Sequence, residues 1–147
     1  MEGIFNKIPS KEKTIAIIVS SFLITFVVAR AFVYLVLGHL LPNFFLTIRG
    51  VHIHHFTYGV FILALLGYYL IIYHPQSDSK TFRIITILYG VGLGLTFDEF
   101  GMWIRMEDNY WVRQSYDAII IITLVLTNIY YRKALWRWLK EIPKLFK

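Results

Sequence analysis

Long apolar stretches separated by short polar blocks make up most of this chain, and the stretches show no period-2 alternation. A hydrocarbon core about 30 Å thick takes roughly 20 helical residues to cross. Four stretches meet that length, at 14–37, 53–73, 82–104 and 110–131. Runs this long without alternation read as helices rather than strands. Turn and charge signals stand between them: Pro42-Asn43, His74-Pro75-Gln76-Ser77-Asp78 and Glu107-Asp108-Asn109. The expected fold is all-α: a polytopic integral membrane bundle of four transmembrane helices, forming a single domain over 1–147.

The first stretch has a second reading. Lys11 and Lys13, then an apolar run to Val28, then Ala29-Arg30-Ala31, have the shape of a cleavable signal with an A-x-A site. The apolar run continues well past Ala31, which favours a retained anchor.

Composition supports the membrane reading. Of the 147 residues, 57% are hydrophobic and 16% charged. Globular domains run at roughly 45–50% and about 25%. Mean hydropathy is +0.59. A disordered chain is excluded and a soluble enzyme disfavoured. Cysteine is absent, which removes disulfides, thiolate metal sites and a cysteine nucleophile.

The net charge of +6 would suit nucleic acid, but its placement points to a membrane face. Lys7, Lys11, Lys13, Lys80, Arg83, Arg132, Lys133, Arg137, Lys140, Lys144 and Lys147 fall on one side of a four-span chain. Arg30, Arg49, Arg105 and Arg113 fall towards the other. Cytoplasmic loops carry the excess of Lys and Arg, so both termini are expected in the cytoplasm of a multi-pass cell-membrane protein. The tail over 132–147 sets Trp136, Trp138, Leu139, Leu145 and Phe146 among its bases. That pattern reads as an interfacial segment, each base near anionic lipid contributing about 1 kcal/mol. The expected partners are membrane lipids, with no nucleic acid; a homo-oligomer is compatible with so small a bundle.

Depth counting at 1.5 Å per residue then brings the polar residues to one level. Arg30 lies about 24 Å along the first helix, and Asp98 and Glu99 about 24–26 Å along the third. Asp117 is about 9–10 Å in from the Tyr110-Trp111 belt on the fourth. His52, His54 and His55 begin the second helix, with Tyr58 one turn deeper. Ionisable groups at such depth are costly and usually face a bundle interior or cavity. On an unbroken helix His52 and His55 sit on neighbouring faces and His54 points away. A bend at Gly50, leaving His52 on a loop, would let all three meet. Asp98 and Glu99, about 100° apart on a regular helix, would not both face one centre. Gly90, Gly94 and Asp98 share a stripe that would press this helix against a neighbour and turn Asp98 inward.

Imidazole and carboxylate donors suit Zn, Fe, Mn, Ni or Cu. The leading expectation is a metal-dependent hydrolase of a lipid-like substrate, using a divalent metal such as Zn. His52, His54, His55 and Asp98 would be its ligands. Glu99 or Asp117 would be the base for a metal-bound water, Arg30 would offset developing negative charge, and Tyr58 and Tyr116 would contact substrate. No metal consensus such as H-E-x-x-H is present. Two alternatives remain: a redox protein holding iron, copper or haem with the same ligands, and a non-enzymatic module, either packing scaffold or small transporter, whose polar layer is structural.

Overall fold

In a computed structural model the structure describes residues 10–42, 46–49, 51–107 and 113–145, of which 10, 48, 51, 52, 130, 131 and 133–145 are described by backbone alone. Among the described residues the secondary structure is helical apart from one hairpin. The elements in order are α1 (Ser10–Leu37), β1 (Thr47–Ile48), β2 (Val51–His52), α2 (His55–Tyr73), α3 (Lys80–Asp98), α4 (Phe100–Arg105) and α5 (Arg113–Leu145).

Three helices are long and apolar enough to cross a membrane, Lys11–Leu37, His55–Tyr73 and Lys80–Asp98, with mean hydropathies of 2.3, 1.9 and 1.2. The expected third stretch, 82–104, is in fact two helices, because the chain breaks at Glu99 (φ −102°, ψ 10°). The fourth helix does not stop at the basic tail but runs unbroken from Arg113 to Leu145.

The packing register follows from which backbones meet. A Cβ added to Gly90 would fall 2.6 Å from the Ile18 carbonyl, and one on Gly94 would fall 2.9 Å from that of Phe22. Asp98 then meets Arg30. Contacts that advance together along both helices mean that α1 and α3 run parallel. Against α2 the order reverses: Gly59 approaches Thr96, whereas Gly92 approaches Leu63, so α2 is antiparallel to α3. Lys11, Lys13, Lys80 and Arg83 therefore share one end of the bundle, and the hairpin and the α3–α4 break share the other. The start of α5 is pinned at that second end, where the Ser115 Oγ accepts from the Gly101 N–H at 3.0 Å.

Local chemistry explains the helix ends. Ser79 caps α3 in the usual way, its Oγ accepting from the Phe82 N–H at 3.1 Å. At the end of α2, His74 adopts a left-handed conformation (φ 43°), its N–H bonding back to the Leu70 carbonyl before Pro75. The hairpin is closed by the Ile53 N–H donating to the Leu46 carbonyl at 2.8 Å, with Arg49 at φ 52° in its turn. Within the helices Ser21, Thr86, Thr96 and Thr123 return their hydroxyls to the carbonyl four residues earlier. No water is needed to satisfy them.

The distribution of burial is inverted relative to a water-soluble domain. Asp98, Glu99, Ser115, Thr86 and Arg30 are buried, along with the α3 glycines. Ile24, Leu65, Ile71 and Leu124 are more than 60% exposed. Many large apolar side chains face outward, and the buried layer mixes glycines and polar groups with a few apolar side chains such as Phe22 and Val33, a pattern helices adopt when hydrocarbon is the solvent.

This register generates a prediction. Gly94→Leu places a side chain against the Phe22 carbonyl and Thr25 and should cost about 1–3 kcal/mol, the usual range for overpacking. Gly67→Leu is the control, since nothing lies within 4 Å of a Cβ there. Thermal unfolding in detergent should show a clear fall in Tm for Gly94→Leu alone; equal shifts in both would contradict the packing.

Candidate functional site

The hairpin end of the bundle gathers five ionisable side chains, Arg30, His54, His55, Asp98 and Glu99, from three helices, the N-cap of α2 and the break after α3. Arg30, near the end of α1, directs its Nε to Asp98 Oδ1 at 2.5 Å and its Nη2 to the Asp98 carbonyl at 2.6 Å. Asp98 is the last residue of α3, so that carbonyl belongs to the helix end that lacks an intrahelical donor. Arg30 thus neutralises a carboxylate and caps the negative end of the α3 dipole with one side chain. Its guanidinium lies 5.7 Å from the centroid of Phe26 and 5.0 Å from that of Tyr116. Those two rings pack edge to face at 6.2 Å.

The second carboxylate serves the opposite kind of helix end. His54 occupies the N-cap position of α2 but makes no side-chain cap bond. Glu99 supplies it from across the bundle, its Oε2 accepting from the Phe56 N–H at 2.9 Å. An anion at the positive end of a helix dipole is favourable, and more so away from water.

Between these caps stand the histidines. His55 Nε2 is 2.8 Å from Asp98 Oδ2, and its Nδ1 is 3.3 Å from Glu99 Oε1. His54 Nδ1 is 3.2 Å from the same Glu99 Oε1. All four carboxylate oxygens are engaged, and the side chains of Asp98 and Glu99 are 0% and 1% exposed. The break at Glu99 is what makes this geometry possible. On a continuous helix the two acids would diverge; with the turn between α3 and α4 both face the bundle.

The remaining expected residues divide. Tyr116 joins the cluster through Arg30, and its hydroxyl is hydrogen-bonded with Tyr34. Tyr58 lines a neighbouring cavity. Asp117 takes a different direction: it pairs with Arg113, one turn earlier on α5, at 3.4 Å, with its side chain 47% exposed. The backbone of His52 lies in β2, as a helix start after that residue requires, while its side chain is outside the described residues. Gly50, proposed as the bend, is also outside them. Among the described residues, no group of three or more His, Asp or Glu is arranged around a common metal position.

Sequence reasoning did not find Ser115, Tyr34 or the Phe56 N–H. Only the first carried a signal: a small hydroxyl residue in the first turn of α5, one residue before Tyr116. The backbone donor has no signature in any residue type.

Two cavities flank the cluster. One, of about 310 Å³, is bounded mainly by apolar groups of α1 and the hairpin base, including Ala29, Phe32, Leu46 and Ile53, and reaches His55 and Tyr58. The other, of about 270 Å³, reaches His54 and Glu99 from the α4 side. In comparisons with known proteins, no family, curated protein or solved structure matches this chain.

The buried pair gives a second prediction. Asp98→Leu leaves Arg30 charged in an apolar setting and should cost about 3–5 kcal/mol, as loss of one partner of a buried ion pair does. Arg30→Met should cost a similar amount. The double variant should recover most of the loss, and a double-mutant cycle on unfolding in detergent measures the coupling. Additive costs would mean that the two groups do not stabilise each other.

Proposed function

We propose that this chain is a four-span membrane protein with both termini in the cytoplasm. We further propose that its Arg30–Asp98–His55–Glu99–His54 cluster is an acid–base site just beneath the outer surface, serving a lipid-like molecule held in the apolar cavity. The orientation rests on the basic end of the bundle, where Lys11, Lys13, Lys80 and Arg83 lie opposite the cluster. The fourth span is assigned to the first part of α5, which carries the apolar run Ala118–Ile119–Ile120–Ile121–Ile122. The localisation is a cell membrane.

The observation that carries the site is the position of His55. Its ring is held by two buried carboxylates and at the same time borders a cavity whose other walls are mostly apolar. A network that served packing alone would have no need to present an imidazole to such a space. Both His55 ring nitrogens face acceptors, so we assign it the imidazolium form. Arg30 and His55 then balance Asp98 and Glu99, giving the cluster zero net charge, the least costly state in a low dielectric.

An imidazolium at the head of an apolar cavity offers a hydrogen bond, and then a proton, to an acceptor oxygen on the polar group of a lipid. Tyr58, half-exposed on the same wall, adds a second donor. Asp98, fixed by Arg30, orients the ring. The reading is one of proton chemistry carried by this chain's own side chains, in place of the metal-dependent hydrolysis expected above.

Topology is directly testable because the chain has no cysteine. In intact cells an impermeant maleimide should label Arg49→Cys and Glu107→Cys, and should label Ser77→Cys and Lys147→Cys only after lysis. Outside labelling of Lys147→Cys would remove the fourth span.

Ligand binding is tested by native mass spectrometry of protein extracted from its own membranes. One retained lipid per chain is expected, lost when Ala29→Trp fills the cavity and at least tenfold weaker in His55→Ala. No retained lipid in the wild type, or equal retention in all three, would overturn the proposal. Stoichiometric zinc, iron or copper in the same preparation would return the site to metal chemistry.

A further inference from the structure

The two cavities end on the two imidazoles of one hydrogen-bonded chain. His55 borders the apolar cavity, and His54 borders the cavity on the α4 side. Glu99 Oε1 lies between them, 3.2 Å from His54 Nδ1 and 3.3 Å from His55 Nδ1. The other oxygen of Glu99 is fixed by the Phe56 N–H, so Oε1 is held in this bridging position by a backbone group.

The second cavity differs from the first in what surrounds its mouth. Met106, where α4 ends, is 85% exposed, and the charged side chains of Arg105 and Glu107 flank it, also exposed. A short helix ending in charged, exposed residues places this opening in water or headgroups rather than hydrocarbon. The apolar cavity opens instead between α1 and the hairpin base, beside outward-facing Val28 and Phe32.

We infer that His54, Glu99 and His55 form a proton path that supplies the lipid cavity from water on the outer face. The inference rests on the acid–base reading of His55 and names the source of its proton. When His55 gives a proton to a ligand oxygen its ring becomes neutral. His54 first takes a proton at Nε2 from the outer cavity and becomes an imidazolium; its Nδ1 proton then passes to Glu99 Oε1, and Glu99 hands a proton on to the neutral His55 ring. One proton enters from the outer cavity for each one delivered; Glu99 and His55 end as they began, and His54 is left as its Nε2–H tautomer, which exchange with water returns to the Nδ1–H form before the next transfer.

The surrounding contacts favour this route. On the far side of His55, Asp98 is neutralised by Arg30 from α1, with the Tyr116 ring of α5 over the guanidinium. Asp98 has Oδ1 occupied by Arg30 and Oδ2 by His55, and it contacts no second imidazole. Glu99 Oε1 instead contacts both imidazoles and so links the two cavities.

The test uses full-length protein with ¹⁵N-labelled histidine in lipid nanodiscs, with bulk water as the probe. NMR measures the rate at which the His55 ring N–H exchanges with water. His54→Phe should slow that exchange at least tenfold while the amide fingerprint of the bundle is retained, and His54→Asn provides a second variant should the first fail to fold. A rate unchanged in these variants, or one that falls instead when Ala29→Trp fills the lipid cavity, overturns the path. Lipid retention is measured on the same samples: retained lipid with unaltered exchange removes the path alone, whereas absent lipid removes the ligand-binding reading.

Discussion

The ion pair between Arg30 and Asp98 is the constraint around which the rest of this structure is organised. A carboxylate with no exposed surface cannot remain charged in hydrocarbon without a partner, and the partner must come from another helix. Arg30 meets both demands of the α3 terminus, the side-chain charge and the backbone carbonyl. Its position fixes the axial register of α1 against α3, and the glycines one and two turns below let the backbones close to the distance the pair requires.

The same logic extends to the whole polar layer, which is better described as a set of reciprocal helix caps than as charges inserted into a membrane. Helix ends in water borrow solvent for their unpaired donors and acceptors. Within a bilayer they must borrow one another. The end of α3 takes a cation from α1, and the start of α2 takes an anion from the turn that follows α3. Both exchanges occur at one level because α2 begins where α3 ends in an antiparallel pair. The histidines sit between the two caps and connect them.

That account also separates what a reader of the sequence sees from what is hidden. Hydropathy and length suffice to place α1, α2 and α3, because crossing hydrocarbon makes the same demand on any sequence. Depth counting brings Arg30, His54, His55, Asp98 and Glu99 to one level for the same reason. Direction is the weaker inference, because periodicity assumes an unbroken helix. Glu99 ends one, and the next begins at Phe100, so two neighbouring acids converge where regular geometry separates them. On α5 the helix is regular through Asp117, but depth is silent about azimuth, and Asp117 turns to Arg113 while Tyr116 beside it takes the inward face. The backbone donor that holds Glu99 has no residue signature at all.

Stability alone is a poor explanation for such a cluster. Replacing a buried ion pair by apolar side chains of similar volume is often neutral, or stabilising by about 1–4 kcal/mol. The helix ends would still need caps, but one cation and one carboxylate would serve. Two imidazoles in addition, each touching the same oxygen and each facing a different cavity, exceed what capping requires. Imidazole alone among the side chains here can donate through one ring nitrogen and accept through the other. A scaffold gains nothing from that property. A site that must move protons between water and a lipid-facing space depends on it.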